Sequence, residues 1–322
     1  MPRPLISTVL AVLAATAATV ALAACGDSSD GEARATAPTA TATAARSAAD
    51  PDPAVPTATL TRFDGARAMS LLRYQVSFGQ RPAGSTALRK LAPQLARRLP
   101  RGRLVPVPGH PGLQNVVGRI PGRRPAIVIG AHYDTEAQPP GFVGANDGAA
   151  GTAGVIEVAR AMRKLSRPKD ARELRFVLFD GEEEPLGQSD ADFYEVALRG
   201  SKAYARANAR STRAMILLDY VAGIGQRIPR EGSSDEGLWR RLRVAARRAG
   251  VLDVFPAGTG ATLFDDHTPF LNEGIPAIDL IDFTYEHRDT VQDTPDKTSE
   301  QALDAVGETV VELLRGLDAS GY

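Results

Sequence analysis

The chain has 322 residues, 43% of them hydrophobic, enough for one large domain with a sizeable core. Lys plus Arg and Asp plus Glu each number 38, so the formal net charge is zero, and the whole-chain basic footprint of a nucleic-acid binder is absent. Cys25 is the only cysteine, which excludes an internal disulfide in any redox compartment.

Residues 1–24 start positively (Arg3), continue through an apolar run at 9–23 and end in small residues. This reads as a secretory signal, too short and too Ala-rich to favour a membrane span. Leu22-Ala-Ala-Cys25-Gly resembles a bacterial lipobox, in which the cysteine becomes the lipidated first residue; a plain secretory signal with Cys25 incidental is the alternative. The expected location is extracytoplasmic, held at the cell membrane by lipid on Cys25, or secreted if the lipobox is not used. Residues 25–58 are Ala, Thr, Ser, Pro and acidic residues with almost nothing large and apolar, so they are expected to form a disordered tether. A single folded domain is expected over 59–322, packing from near Leu60.

Apolar residues at helical spacing predict a first helix over 63–76, followed by the turn-rich Phe78-Gly-Gln-Arg-Pro-Ala-Gly-Ser85. Ser85 is placed to cap a second helix running through Leu99. Leu104-Val-Pro-Val and Asn115-Val-Val-Gly-Arg-Ile120 predict an edge hairpin. Strands at 126–130, 174–179, 215–218 and 276–281 then alternate with helices at 149–165, 201–209, 235–249 and 299–317. The last helix carries Thr298 and Gln301 at capping-box spacing. The alternation predicts an α/β three-layer fold, with a mostly parallel mixed sheet and helices on both faces.

Each core strand is followed at once by acidic or imidazole groups: His132 and Asp134, then Asp180-Gly-Glu182-Glu183, then Asp219, then Asp282 and the run to His287 and Asp289. In an open α/β sheet, ligands bind beyond the carboxyl ends of the strands. Singly, each group has an ordinary alternative: Asp147 as a helix cap, the Glu run as a solvated loop, His132 as a hydrogen-bonded core histidine. Together they point to a metal site, because carboxylates crowded at one edge repel unless cations neutralise them.

The motifs Ala131-His-Tyr-Asp134, Gly144-Ala-Asn-Asp-Gly148, Phe179-Asp-Gly-Glu-Glu183 and Asp266-His-Thr-Pro-Phe270 with Gly274-Ile-Pro-Ala277 occur in one order. In that order they resemble the M28 zinc metallopeptidases, which include bacterial aminopeptidases and, as a close branch, the animal-type glutaminyl cyclases. The resemblance covers about 63–317 and implies a zinc aminopeptidase-like fold. It implies that His132 and Asp219 hold one zinc and that Asp147 bridges to a second held also by Glu183. It further implies Glu182 as general base, Asp134 orienting His132 from behind, and Asp266 and His267 as supporting residues. The family's last ligand is a histidine, commonly four residues before the Asp-Thr of an Asp-Thr-x-Asp-Lys run. Here Asp293-Thr-Pro-Asp-Lys297 is intact, but Asp289 stands at that spacing and His287 lies two residues earlier. Spacing favours Asp289 as last ligand and chemistry favours His287. With Asp289 the half-site is all oxygen and suits a harder divalent ion.

The expected activity is hydrolysis at the free amino end of peptides, with two zinc ions. The alternatives are a glutaminyl-peptide cyclotransferase with one zinc and a non-catalytic peptide-binding lipoprotein. The expected partners are a peptide with a free N-terminus and the membrane through the lipid anchor alone, with no nucleic acid.

Overall fold

The longest strand of the sheet, β3 (Arg123–His132), runs through its centre, and everything else is arranged on it. The computed structural model describes residues 50–188, 190–320 and 322. The signal, the lipobox with Cys25, and the tether up to residue 49 lie outside the described residues.

In chain order the helices and strands are α1 (Gly65–Val76), α2 (Thr86–Ala96), β1 (Arg103–Pro106), β2 (Gln114–Ile120), β3, α3 (Gly151–Lys164) and β4 (Arg172–Phe179). They continue as the short α4 (Phe193–Val196), α5 (Arg199–Asn208), β5 (Thr212–Asp219), α6 (Glu236–Arg248), α7 (Thr268–Asn272), β6 (Ala277–Ile281) and α8 (Glu300–Ala319). The sheet order is β1-β2-β4-β3-β5-β6. The pairs β4–β3, β3–β5 and β5–β6 are parallel, while β1–β2 and β2–β4 are antiparallel. This is the mixed, mostly parallel sheet that the alternation predicts, with the hairpin at its edge.

Period-2 geometry sorts the strand residues between two cores. Ile127, Ile129 and Ala131 pack with α1, α2, α3, α6 and α8 on one face. Val128, Val177, Met215 and Leu217 pack with Tyr204 of α5 and Phe270 of α7 on the other. Helix starts follow local capping chemistry. Asp64 accepts from Arg67 N, Ser85 from Leu88 N and Asp235 from Leu238 N. The second helix stops at Ala96, short of Leu99, and the chain turns through Arg101 in a left-handed conformation.

Two more boundaries differ from the sequence reading. The cap of α8 is Ser299, whose hydroxyl accepts from Ala302 N at 3.2 Å. Gln301 is not in a capping box, because its amide grips the segment before the domain: it accepts from Asp52 N at 3.0 Å and donates to Val55 O. Asp52 and Val55 are buried, so packing begins ahead of Leu60, inside the stretch expected to be tether. One buried valine and a paired aspartate suffice to dock a segment whose average composition is polar. Among the described residues no helix is long and apolar enough to cross a membrane.

Candidate metal centre

β3 and β5 are neighbours, and their last residues are His132 and Asp219. From β3 the chain proceeds to α3 and β4 on one side, while β5 lies on the other side. Such a switch point opens a crevice at the carboxyl ends of the strands. The connection from β3 to α3 returns Asp147 to this crevice, and the turn after β4 adds Glu182 and Glu183.

Around His132 the geometry is tight. Its Nε2 lies 3.0 Å from Asp147 Oδ1 and 3.2 Å from Asp219 Oδ1. Its Nδ1 faces Glu182 Oε2 at 3.8 Å and Asp134 Oδ1 at 3.9 Å. His132, Asp134, Asp147, Glu182, Glu183 and Asp219 are all buried. One ligand atom from each of His132, Asp147 and Asp219, or from each of His132, Glu182 and Glu183, falls within a sphere fit for one ion.

Asp134 corrects one expectation. Its oxygens accept the backbone N–H groups of Glu182 and Glu183, each at 3.3 Å, while His132 Nδ1 is too far for a hydrogen bond. Asp134 therefore shapes the Glu182-Glu183 turn in addition to placing a negative charge behind the imidazole.

The loop that presents Asp147 is held from several sides. Asp147 (φ −83°, ψ 110°) and Gly148 (φ 78°) interrupt helical geometry just before α3. A Cβ on Gly148 would lie 2.6 Å from Asp134 O and 3.2 Å from the His132 ring, so only glycine fits there. Asp293 accepts from Asn146 N at 2.9 Å and Asp147 N at 3.0 Å, and takes the Tyr285 hydroxyl at 2.9 Å. The fully buried Arg81 donates to the carbonyls of Gly79, Val143 and Gly144. Burial lowers its pKa to about 10 against the pull of Asp147, Asp293 and Asp134, so it stays cationic at neutral pH.

Asp289, and not His287, comes to the site. Tyr220 Oη donates to Asp147 Oδ2 at 2.7 Å and reaches Asp289 Oδ1 at 3.1 Å. His287 packs edge-on against the Tyr285 ring, with centroids 5.5 Å apart, and belongs to no metal-sized cluster among the described residues. No such cluster unites Asp147, Glu183 and Asp289, the trio expected at the second position; Glu136 stands there with Asp147 and Asp289. Asp289 itself is held in a left-handed conformation (φ 58°), which a short polar side chain tolerates.

The supporting pair also needs adjustment. His267 is fully buried in a separate group, with Nε2 3.1 Å from Glu231, 2.9 Å from the Ser233 hydroxyl, and Nδ1 3.7 Å from Asp279. Asp266 is buried nearby, and its charge acts on Glu182 as that of Asp265 does. Asp265, the other aspartate of the doublet, is the one that lines the crevice.

Electrostatics show a site short of positive charge. Burial pushes Glu182 well above the usual carboxylate range; Asp265, Asp266 and Asp134 push the same way, and only His132 opposes. Burial does the same to Glu183, reinforced by Asp147 and Glu182. Asp219 rises to about 7 through burial despite its hydrogen bond to His132. Burial alone would lower the His132 pKa, yet hydrogen bonds to Asp147 and Asp219 hold it well above its ordinary value. Each group favours taking up a proton, and a divalent cation satisfies the same demand.

Sequence reasoning passed over Glu136, Tyr220, Asp279, Arg81 and the clamp made by Asp293. Glu136 and Tyr220 follow recognised residues within two positions and were open to notice. Arg81 sits in what reads as an ordinary Gly/Pro loop, and its role depends on a contact more than sixty residues away in sequence.

A cleft of about 530 Å3 adjoins the cluster, lined by Asp147, Glu182, Asp219 and Asp289 among others. Three large exposed apolar side chains line it: Leu186 (69% exposed), Phe264 (60%) and Phe283 (40%). A buried His/carboxylate cluster with an adjacent buried glutamate thus lies beside a cleft at the strand ends of a mixed α/β sheet, a donor set that could hold a metal ion. Residues 115–314 match the sequence profile of Peptidase family M28, and the chain belongs to that family.

Its relatives carry more than one activity. It is 28% identical over 244 residues to the Escherichia coli protein YfbL, covering 65% of this chain and 72% of that one. It is 27% identical over 212 residues to a glutaminyl-peptide cyclotransferase of Bothrops jararaca, covering 54% of this chain but only 56% of that enzyme. A leucine aminopeptidase precursor of Bacteroides thetaiotaomicron superposes with a TM-score of 0.70 at 25% identity, covering 80% of this chain and 99% of that one.

Proposed function

We propose that the chain is a zinc-dependent aminopeptidase that hydrolyses the first peptide bond of peptides with a free amino end. The observation that carries this reading is His132 Nε2 set between Asp147 and Asp219 at 3.0 and 3.2 Å, with the buried Glu182 on its other side at 3.8 Å. One imidazole with carboxylates is a donor set suited to zinc. His132, Asp147 and Asp219 would hold the ion, and His132 and Asp219 would gain a cation in place of the protons they otherwise attract.

Zinc held by His132, Asp147 and Asp219 would supply Lewis acidity toward a carbonyl oxygen and a water. The chain's own groups supply the rest. Glu182, desolvated and pushed toward a higher pKa, accepts the proton of the attacking water and passes it to the departing amine. Asp134 fixes the Glu182-Glu183 turn through two backbone amides, so the base keeps its position during transfer. The carboxylate of Glu136, which lines the cleft, offers an ion pair to the substrate's ammonium group. Leu186, Phe264 and Phe283 form an apolar wall for a large hydrophobic side chain.

A second reading is favoured by the likeness to glutaminyl-peptide cyclotransferases: the same free amine would attack the side-chain amide carbon of an N-terminal glutamine, breaking its C–N bond and releasing ammonia. Residues 1–25 support export and a lipid anchor on Cys25 for either enzyme. A three-substrate comparison separates them: a leucine anilide, its N-acetylated form, and an N-terminal glutaminyl peptide. The aminopeptidase reading expects release from the leucine anilide, none from its N-acetylated form and no ring closure of the glutaminyl peptide, with the release abolished by chelation and restored by zinc. Ring closure of the glutaminyl peptide without release of leucine would replace it with the cyclotransferase, and inertness toward all three would leave a binding protein.

A further inference from the structure

The second position of the expected metal pair is closed by a tyrosine. Asp147 has two oxygens with different neighbours: Oδ1 lies against His132, and Oδ2 accepts the Tyr220 hydroxyl at 2.7 Å. The same hydroxyl reaches Asp289 Oδ1 at 3.1 Å, and Asp289 Oδ2 forms an ion pair with Arg288 Nη1 at 3.0 Å. Asp147 Oδ2 is therefore already engaged by the tyrosine's single proton, and Asp289 Oδ2 by the Arg288 guanidinium. What remains, Glu136 with Asp147 and Asp289, is an oxygen-only set in which a carboxylate stands where the family resemblance calls for an imidazole. Such a set is a poor match for zinc, which prefers nitrogen and sulfur in competition with harder ions.

Tyr220 is also placed by more than chance packing. It is buried, and its backbone is left-handed (φ 47°), a conformation a bulky aromatic residue adopts only under constraint. The constraint is visible: Tyr220 N donates to Asp219 Oδ1 at 2.9 Å, and Gln226 Nε2 donates to Tyr220 O at 2.8 Å. One end of the residue is thus tied to the Asp219 ligand and the other to Asp147.

We propose that the Tyr220 hydroxyl stands in for the second ion, making this a one-zinc centre in which Tyr220 is a positioning residue that turns Asp147 Oδ1 toward His132. The donor set fits zinc at His132, Asp147 and Asp219 and does not fit it at the Glu136, Asp147 and Asp289 position. This rests on the zinc reading above. It departs from the two-ion arrangement the family resemblance implies, and the departure is confined to Tyr220 and Asp289.

Zinc stoichiometry and affinity test it without reference to turnover. The full chain is loaded with zinc, freed of excess, and its metal is counted and titrated against a competing chelator. The wild type is expected to hold one zinc. Tyr220→Phe, which keeps the ring and hence the packing, is expected to hold one zinc about 10–100-fold more weakly, as loss of an outer hydrogen bond to a ligand does. The double variant Tyr220→Phe/Asp289→His, which removes the hydroxyl and supplies the imidazole, is expected to hold two. Two zinc ions in the wild type overturn the inference while leaving the zinc-enzyme reading intact, and so does wild-type affinity in Tyr220→Phe with circular dichroism unchanged. No zinc in any of the chains overturns both.

Discussion

Asp293 offers the sharpest test of how the ligand loop is held. Its carboxylate accepts the backbone N–H groups of Asn146 and Asp147 and the Tyr285 hydroxyl, all in buried surroundings. Asp293→Ala leaves two buried amides without their acceptor. At about 1–3 kcal/mol for each unsatisfied buried donor, the loss is about 2–6 kcal/mol. Asp293→Asn keeps one oxygen but turns an NH2 group toward one of the amides, so it should lose about half as much, roughly 1–3 kcal/mol. For a domain of this size each kcal/mol corresponds to a fall in Tm of about 2–4 °C. Because the loop carries Asp147, zinc affinity should fall with stability, by about 10–100-fold in either variant. Denaturant unfolding gives the first quantity and chelator competition the second. An Asp293→Ala chain that unfolds at the wild-type midpoint and keeps wild-type zinc affinity would refute the reasoning, because the loop would then be held by something other than this carboxylate.

Two further outcomes concern the helices behind the site. In Gly307→Ala the new methyl would lie 2.4 Å from the Phe63 ring, so α8 must shift, at about 1–3 kcal/mol in thermal or denaturant unfolding; an unchanged Tm would show that the contact gives freely. Asp304 on α8 is raised from 3.8 to about 7 by burial and by the Glu308 carboxylate, against a backbone hydrogen bond from Gly65. The folded chain therefore holds a proton that the unfolded chain releases. This contribution to stability is complete below the unfolded value and is lost as pH rises through the folded value of about 7. Asp304→Asn should consequently gain Tm over the wild type at about pH 8 relative to the difference at about pH 5. An equal difference at both would contradict the assignment.

Much of this molecule is legible from residues alone, for identifiable reasons. The apolar stretches at 126–130, 174–179, 215–218 and 276–281 mark β3, β4, β5 and β6, and each runs within two residues into a polar group, so both the parallel sheet and the edge that gathers His132, Glu182, Glu183 and Asp219 follow from that pattern. Asp147 is legible because Asn146-Asp147-Gly148 joins a strand to a helix at the same edge. The choice between His287 and Asp289 was not legible. Both lie on an irregular loop, and the contact that Asp289 makes at the site, with the Tyr220 hydroxyl, comes from a residue distant in sequence. The sequence pairs Asp134 with His132, but its oxygens accept from the backbone of Glu182 and Glu183, and no side-chain pattern reports which acceptor a backbone amide finds. Gln301 was read as a capping residue because spacing alone cannot tell a local hydrogen bond from one to Asp52 and Val55. Composition likewise averages over the segment before Leu60 and hides the buried side chains that dock it.

The most direct test of the central claim is the zinc content and leucine-anilide turnover of Glu182→Gln, measured together on the same preparation. The account predicts zinc unchanged, since His132, Asp147 and Asp219 remain, and kcat lower by about 10²–10⁴ because the proton acceptor is gone. Turnover at the wild-type rate with zinc in place would contradict it, and would remove Glu182 from the chemistry of this site.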